Sequence, residues 1–278
     1  MDAIGRVDWE SIDDHILASQ MRLLARTFLD GIDSDLFLGG LLDTGVHQGI
    51  YTESATQNYV LGTKRILPDG REFRYCLSGA AIIAGVMSQG PAPIANYTDE
   101  AQTAYGFAIG ALTGTVLITT GSTPVADAWK DGWMCCALGT GLGHLYKILS
   151  NTSHATLPVV TLETPIRVAI PAASTISIIP CQYRGTITVP TTVTTGVPVG
   201  VPLIGITSGY YYWSQVHGPA PLLVDTSETI VIGCPVGLPN TADVVGACGV
   251  ALVSKPIYGK CMVVEGATYY AIIDLTIE

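Results

Sequence analysis

Residues 57–75 read QNYVLGTKRILPDGREFRY, and the fold class is read outward from this stretch. Two short apolar, β-prone runs flank Leu67-Pro68-Asp69-Gly70. Proline presets φ, aspartate bonds its own backbone and glycine accepts positive φ, so the segment predicts a turn and the whole stretch a β-hairpin. From Leu112 onward the same pattern recurs. Short β-prone runs at Thr115–Thr120, Trp133–Ala137, His144–Leu149, Val159–Leu162, Ser174–Ile179, Gly185–Val189, Val201–Ile206, Tyr210–Gln215, Thr229–Ile232, Gly249–Lys255, Lys260–Val264 and Tyr269–Ile277 alternate with Gly, Pro, Asn and Ser turns. That spacing predicts a mainly β chain, with a β-sandwich or barrel as its body. Within Thr186–Pro202 three prolines argue against a central strand and for an edge strand or an extended crossover. Asp99–Ala111 has room for a little helix, and no tandem repeat of fixed period is visible.

The N-terminal part differs in kind. Ser11 and Asp14 have the spacing of a capping box, and Ile12, Ile16, Leu17, Met21, Leu24 and Phe28 follow at helical intervals. Asp13 and Asp14 in the first turn and Arg22 and Arg26 toward the end suit the helix dipole, so the pattern predicts a helix over Ile12–Leu29. Asp30–Thr56, broken by Gly31, Gly39 and Gly40, reads as irregular and extended. The expected organisation is a helical and extended arm over 1–56 and a β-rich body over 57–278, either undivided or split into 57–180 and 181–278.

Charge separates the same two parts. The first 75 residues carry 19 charged side chains, and the following 203 carry only 17. About a quarter of the residues of an ordinary soluble domain are charged. A Gly-, Thr-, Val- and Pro-rich stretch with so little charge is expected to hide surface against other protein chains. The most apolar runs, Ala80–Met87, Ala169–Pro180 and Val201–Ile206, are too short or too interrupted for the roughly 20-residue helix that spans a bilayer. The acidic opening predicts no secretory signal, and the expectation is a soluble, non-secreted protein without a membrane partner. A net charge of −10 with no extended basic patch disfavours nucleic acid. The seven cysteines are irregularly spaced, without a CxxC, so no zinc or redox motif is read, and a reducing compartment fits.

The candidate chemistry is sparse. Gly139-Thr140-Gly141-Leu142-Gly143 lacks the spacing of a phosphate-binding loop, and the run after it alternates like a strand, so a hairpin connection is the better reading. The histidines His15, His47, His144, His154 and His217 show no metal-binding spacing, and Cys136 with His144 has no motif behind it as a nucleophile pair. Asp127, Asp131 and Glu163 read as solvated loop acids rather than a calcium site. Lys64, Arg65, Arg71 and Arg74 are read evenly as a grip on an acidic partner or as a solvated hairpin paired with Asp69, Glu72 and the acidic N-terminal segment. Tyr210-Tyr211-Tyr212-Trp213 reads as an aromatic strand packed alternately on the core and on a neighbouring subunit, with a glycan contact as the lesser alternative. No catalytic, cofactor-binding or metal-ligating residue is assigned.

Residues 61–75, then Pro165-Ile166-Arg167-Val168-Ala169, Gly196–Val201, Gly209–Ala220 and Gly249–Val253, resemble segments of a family of structural proteins from tailed bacteriophages of marine and freshwater environments, of the capsid decoration or cement type. The resemblance implies a non-enzymatic virion protein that needs no cofactor, is assembled in the host cytoplasm and stabilises the head from its outer surface, with the major capsid protein as partner. Self-association as a homotrimer is expected alongside. Ile16, Met21, Leu24, Phe28, Lys64, Arg65, Arg71 and Arg74 are the expected capsid contacts. Tyr210, Tyr212 and Trp213 are the expected subunit interface. The alternative is a tail or receptor-binding protein with the aromatic strand as its glycan contact.

Overall fold

A computed structural model describes residues 48–191, 193–226, 228–239, 245–251, 255–264 and 269–278. The chain is mainly β, as the turn-and-strand pattern predicts. The helix expected at Ile12–Leu29, with Ile16, Met21, Leu24 and Phe28, lies outside the described residues. The strands are β1 (Lys64–Ile66), β2 (Glu72–Ser78), β3 (Ser88–Gln89), β4 (Glu100–Ala101), β5 (Thr113–Thr115), β6 (Trp133–Leu138), β7 (Leu145–Asn151), β8 (Val159–Leu162), β9 (Thr175–Ile179), β10 (Arg184–Thr188), β11 (Pro198–Pro202), β12 (Tyr211–Leu223), β13 (Pro235–Gly237), β14 (Gly249–Val250), β15 (Ile257–Val263) and β16 (Tyr270–Thr276).

These strands form two sheets. The larger has ten strands in the order β1-β2-β10-β3-β11-β12-β16-β15-β13-β14, and an additional β2–β12 pairing closes five of them into a ring. The expected hairpin is its entrance: Lys64 faces Arg74 and Ile66 faces Glu72, with Gly70 at φ 84 in the turn. The ring is antiparallel throughout except at β2–β10. β12 serves two purposes. Its first half pairs with β2 and β11, and its second half, from His217 onward and through Gly218 at φ 81, pairs with β16 and carries the open end of the sheet.

The second sheet has six strands in the order β4-β9-β6-β7-β8-β5 and is built wholly from the chain between β3 and β10. It curls into a half-barrel around Phe107, Trp129, Met134, Tyr146, Ile148, Leu162 and Ile178. Buried Gln102, just past β4, spans the gap between its ends: its side chain donates to the Leu117 carbonyl at 3.0 Å and accepts from the Leu117 N–H at 2.7 Å. The sheets therefore divide the chain differently from a cut at 180, because β1–β3 belong with β10–β16. Arg184 joins the two, donating to the Asp131 carboxylate at 2.9 Å and to the Lys130 carbonyl at 3.2 Å.

Three local expectations are corrected. β11, in the proline-rich run, is not an edge: it sits between β3 and β12. Its prolines occupy its first and last positions, beside a register shift at Pro198/Gly200, where a missing N–H disturbs a ladder least. Thr229–Ile232 is not a strand; Val231 and Ile232 lead into a turn closed by the Cys234 N–H on the Val231 carbonyl. Asp99–Ala111 holds β4 and bends rather than a helix, and a short 3₁₀ turn, Ala95–Tyr97, precedes it.

Candidate interaction surface

The strands β9, β6 and β7 together expose five large apolar side chains, Trp133, Leu138, Leu145, Leu149 and Ile179. The glycine-rich loop is the β6–β7 hairpin turn, with Gly139, Gly141 and Gly143 at φ 92, 88 and 81 and the Gly143 N–H closed on the Cys136 carbonyl at 3.0 Å. Strand alternation sends Met134, Cys136, Tyr146 and Ile148 into the half-barrel. It sends Trp133 (40 % exposed), Leu145 (50 %), Leu149 (45 %) and, on β9, Ile179 (45 %) to the convex side. Trp133 lies opposite Lys147 on one flank and Ile179 on the other, so these residues form one continuous face. The Lys147 ammonium on this face lies 3.6 Å from the Glu163 carboxylate.

At the Trp133 end the face runs into a groove of about 620 Å³ between the two sheets. Leu61, Pro91, Trp133, Ile179, Tyr183 and Val197 are among the residues that line it. Its charged lining residues are Asp131, engaged by Arg184 at 2.9 Å, and Lys147, engaged by Glu163. At the opposite end of β6 the hairpin projects Leu138 and Leu142, each 63 % exposed.

The residues singled out in the sequence fare differently. All four basic side chains of the hairpin have partners within the chain. Lys64 pairs with Glu72 at 2.6 Å and Arg71 with Asp69 at 2.7 Å. Arg65 donates to the Gln48 carbonyl at 3.1 Å and lies over the Trp213 ring. Arg74 donates to Glu278 at 2.7 Å and to the Gly62 carbonyl at 2.8 Å. The intramolecular pairing with Asp69 and Glu72 is therefore present.

The expected subunit interface is corrected more sharply. Tyr212 and Trp213 are 1 % and 2 % exposed, so neither is available to another chain. Tyr212 bonds Thr186 at 2.9 Å inside the ring. Trp213 packs against Tyr59 and Tyr75, and its indole N–H donates to the Gln48 carbonyl at 3.0 Å. Tyr210 is only partly buried and packs on the cluster containing Tyr212. Adjacent residues of β12 point to opposite sides, yet both sides are covered: the ring interior takes one, and the segment around Gln48, Tyr59 and Leu61 takes the other.

The remaining candidates are structural. Burial pushes the thiols of Cys76, Cys136, Cys181 and Cys261 up, and that of Cys248 to about 12, which disfavours the thiolate a nucleophile needs. The Cys136 Sγ faces the carbonyls of Thr140 and Leu138. Asp127 and Asp131 take positive φ at turns, and Glu163 is held by Lys147. Among the described residues no group of three or more His, Cys, Asp or Glu is placed to hold a metal ion. No described helix is long and apolar enough to cross a membrane.

The convex face was missed in the sequence although a signal was present. Trp133-Met134-Cys135-Cys136-Ala137-Leu138 and Leu145-Tyr146-Lys147-Ile148-Leu149 are apolar at odd and even positions alike. A strand apolar on both sides asks for cover on both sides. Comparison with known proteins gives no match to a family model, a curated protein or a solved structure.

Proposed function

We propose that this chain is a structural, non-catalytic component of a multi-chain assembly, and specifically a capsid decoration protein that binds the outside of a tailed-phage head, stabilises it and associates with itself as a homotrimer. The observation that carries the assembly reading is the convex face of the second sheet. Trp133, Leu145, Leu149 and Ile179 lie side by side in solvent on a chain whose charge is otherwise thinly spread. Contiguous apolar surface of this kind marks interaction sites. The phage-head assignment rests on the sequence resemblance. The mechanical role follows from repetition: contacts that are weak singly become firm when many copies bind one lattice.

The tail or receptor-binding alternative keeps only Tyr210 and Tyr211 of its proposed aromatic contact, because Tyr212 and Trp213 are interior. Quantitative mass spectrometry of purified particles tests the proposal. Copies comparable to the major coat protein are expected, and a handful per particle refutes the decoration role.

A further inference from the structure

The hairpin tip and the groove lie on the same sheet but at opposite ends of β6, about 17 Å apart at the usual rise per strand residue. We propose that the β6–β7 tip of one copy, led by Leu142, inserts into the groove between the two sheets of a second copy, so that the chain self-associates head to tail. This deepens the assembly reading by naming the partner surface as the chain's own.

Charge argues for a second copy. Each chain carries a net −10, so two copies repel unless they meet where charge is absent or cancelled. The tip qualifies: Trp133 to Gly143 contains no charged residue. The groove qualifies too, since Asp131 and Lys147 are each compensated within the chain.

Shape and area agree. Three glycines at positive φ make the tip narrow and leave Leu142 as its projecting side chain, and the groove's 620 Å³ lies within the size range of sites that enclose a guest group. Taking about 200 Å² for a fully exposed large apolar residue, Leu138 and Leu142 at the tip and Trp133 and Ile179 at the groove leave roughly 400 Å² of apolar surface uncovered. That is the size of the largest apolar patch on a monomer, which is often functional. Strand addition is the poorer route. β4 and β5, the edges of this sheet, are two and three residues long, and Gln102 already links the segments beyond them.

A tip and a groove are different surfaces, so one contact leaves a second tip and a second groove open, and a closed ring such as a trimer satisfies all of them. The test uses purified full-length chain without coat protein, so it fails or succeeds independently of the capsid assignment. Three single variants are measured by sedimentation velocity over a concentration series: Leu142→Asp at the tip, and Trp133→Glu and Val197→Asp in the groove. The last is at a 58 % exposed site and guards against misfolding at Trp133. Wild type is expected to self-associate, and each variant to weaken association about tenfold or more. An equimolar mixture of Leu142→Asp with either groove variant pairs one intact tip with one intact groove, and is expected to form heterodimers and stop there. A monomeric wild type, or a mixture that forms no heterodimer, overturns the proposal. So does a Leu142→Asp chain that associates like wild type, because that points to two convex faces meeting.

Discussion

Trp213 and Trp133 both sit on β-strands and end in opposite surroundings. The ring around β12 is closed, so its strands are covered by their own neighbours and by the segment anchored at Gln48, and Trp213 is sealed from solvent. The half-barrel around β6 fills only its concave side, and Trp133 stays 40 % exposed on the other. Covering both sides of a strand, one by ring closure and the other by the Gln48–Leu61 segment, settles where its apolar side chains go within one chain. Leaving one side open passes half of them to whatever binds next.

Trp213→Ala is the strongest way to break that contrast. It removes the ring packed on Tyr59 and Tyr75 and leaves the Gln48 carbonyl without the indole donor, so unfolding by denaturant should show a loss of about 3–5 kcal/mol. A loss below about 1 kcal/mol would show that the cluster of Trp213 with Tyr59, Leu61 and Tyr75 is not a core. Gly200→Ala comes next. Gly200 has φ +116 and its added Cβ would lie 2.4 Å from the Gln215 carbonyl oxygen across β11–β12, so a loss of roughly 2–3 kcal/mol is expected in the same assay. A neutral result would mean that the ring yields there. Trp133→Ala, measured where the chain is monomeric, should cost less than about 1 kcal/mol. A loss matching that of Trp213→Ala would erase the distinction between the two sheets.

The smallest expected effect concerns acid. Burial works against ionisation of Glu278, but hydrogen bonds from Arg74 and Tyr183 outweigh it and hold the carboxyl below its ordinary 4.5. A carboxyl depressed in the folded state contributes stability that is present above its unfolded value and lost as pH falls through the folded one. Thermal denaturation from pH 6 to pH 3 should therefore show the gap between wild type and Glu278→Gln narrowing below about pH 4.5. A constant gap would show that the contact does not depend on charge.

β6, β8 and β9 of the second sheet were legible from local pattern, whereas the expected Thr115–Thr120 meets β5 only at Thr115. Val159–Leu162 matches β8, and Trp133–Ala137 and Ser174–Ile179 match β6 and β9 to within a residue. The Pro-Asp-Gly turn and the Gly139–Gly143 turn were legible for the same reason: their geometry is set by the residues within them. Ring closure was not, because β2 meets β10 and β12 across more than a hundred residues, and nothing in Glu72–Ser78 names those partners. The two-residue β3 and β4 carry too few side chains to show a period. Reading Tyr210–Trp213 as half-outward assumed one covered side, and the cover on the other comes from residues more than 130 positions earlier, Gln48, Tyr59, Leu61 and Tyr75, which nothing in the aromatic run names. The interaction face was legible only as a surplus: β6 and β7 carry more apolar side chains than one core can take.

The placement of the second sheet wholly between β3 and β10 also sets an order of events on the ribosome. β4 to β9 emerge as one uninterrupted stretch and have all their sheet partners once Ile179 is out. β3 must wait for β11, which ends at Pro202, and β2 until His217 for the last of its partners, the latter about 2–8 s longer at ordinary translation speeds. Through that interval the nascent chain has its outward-facing Trp133 in place while its barrel is still an unjoined set of strands.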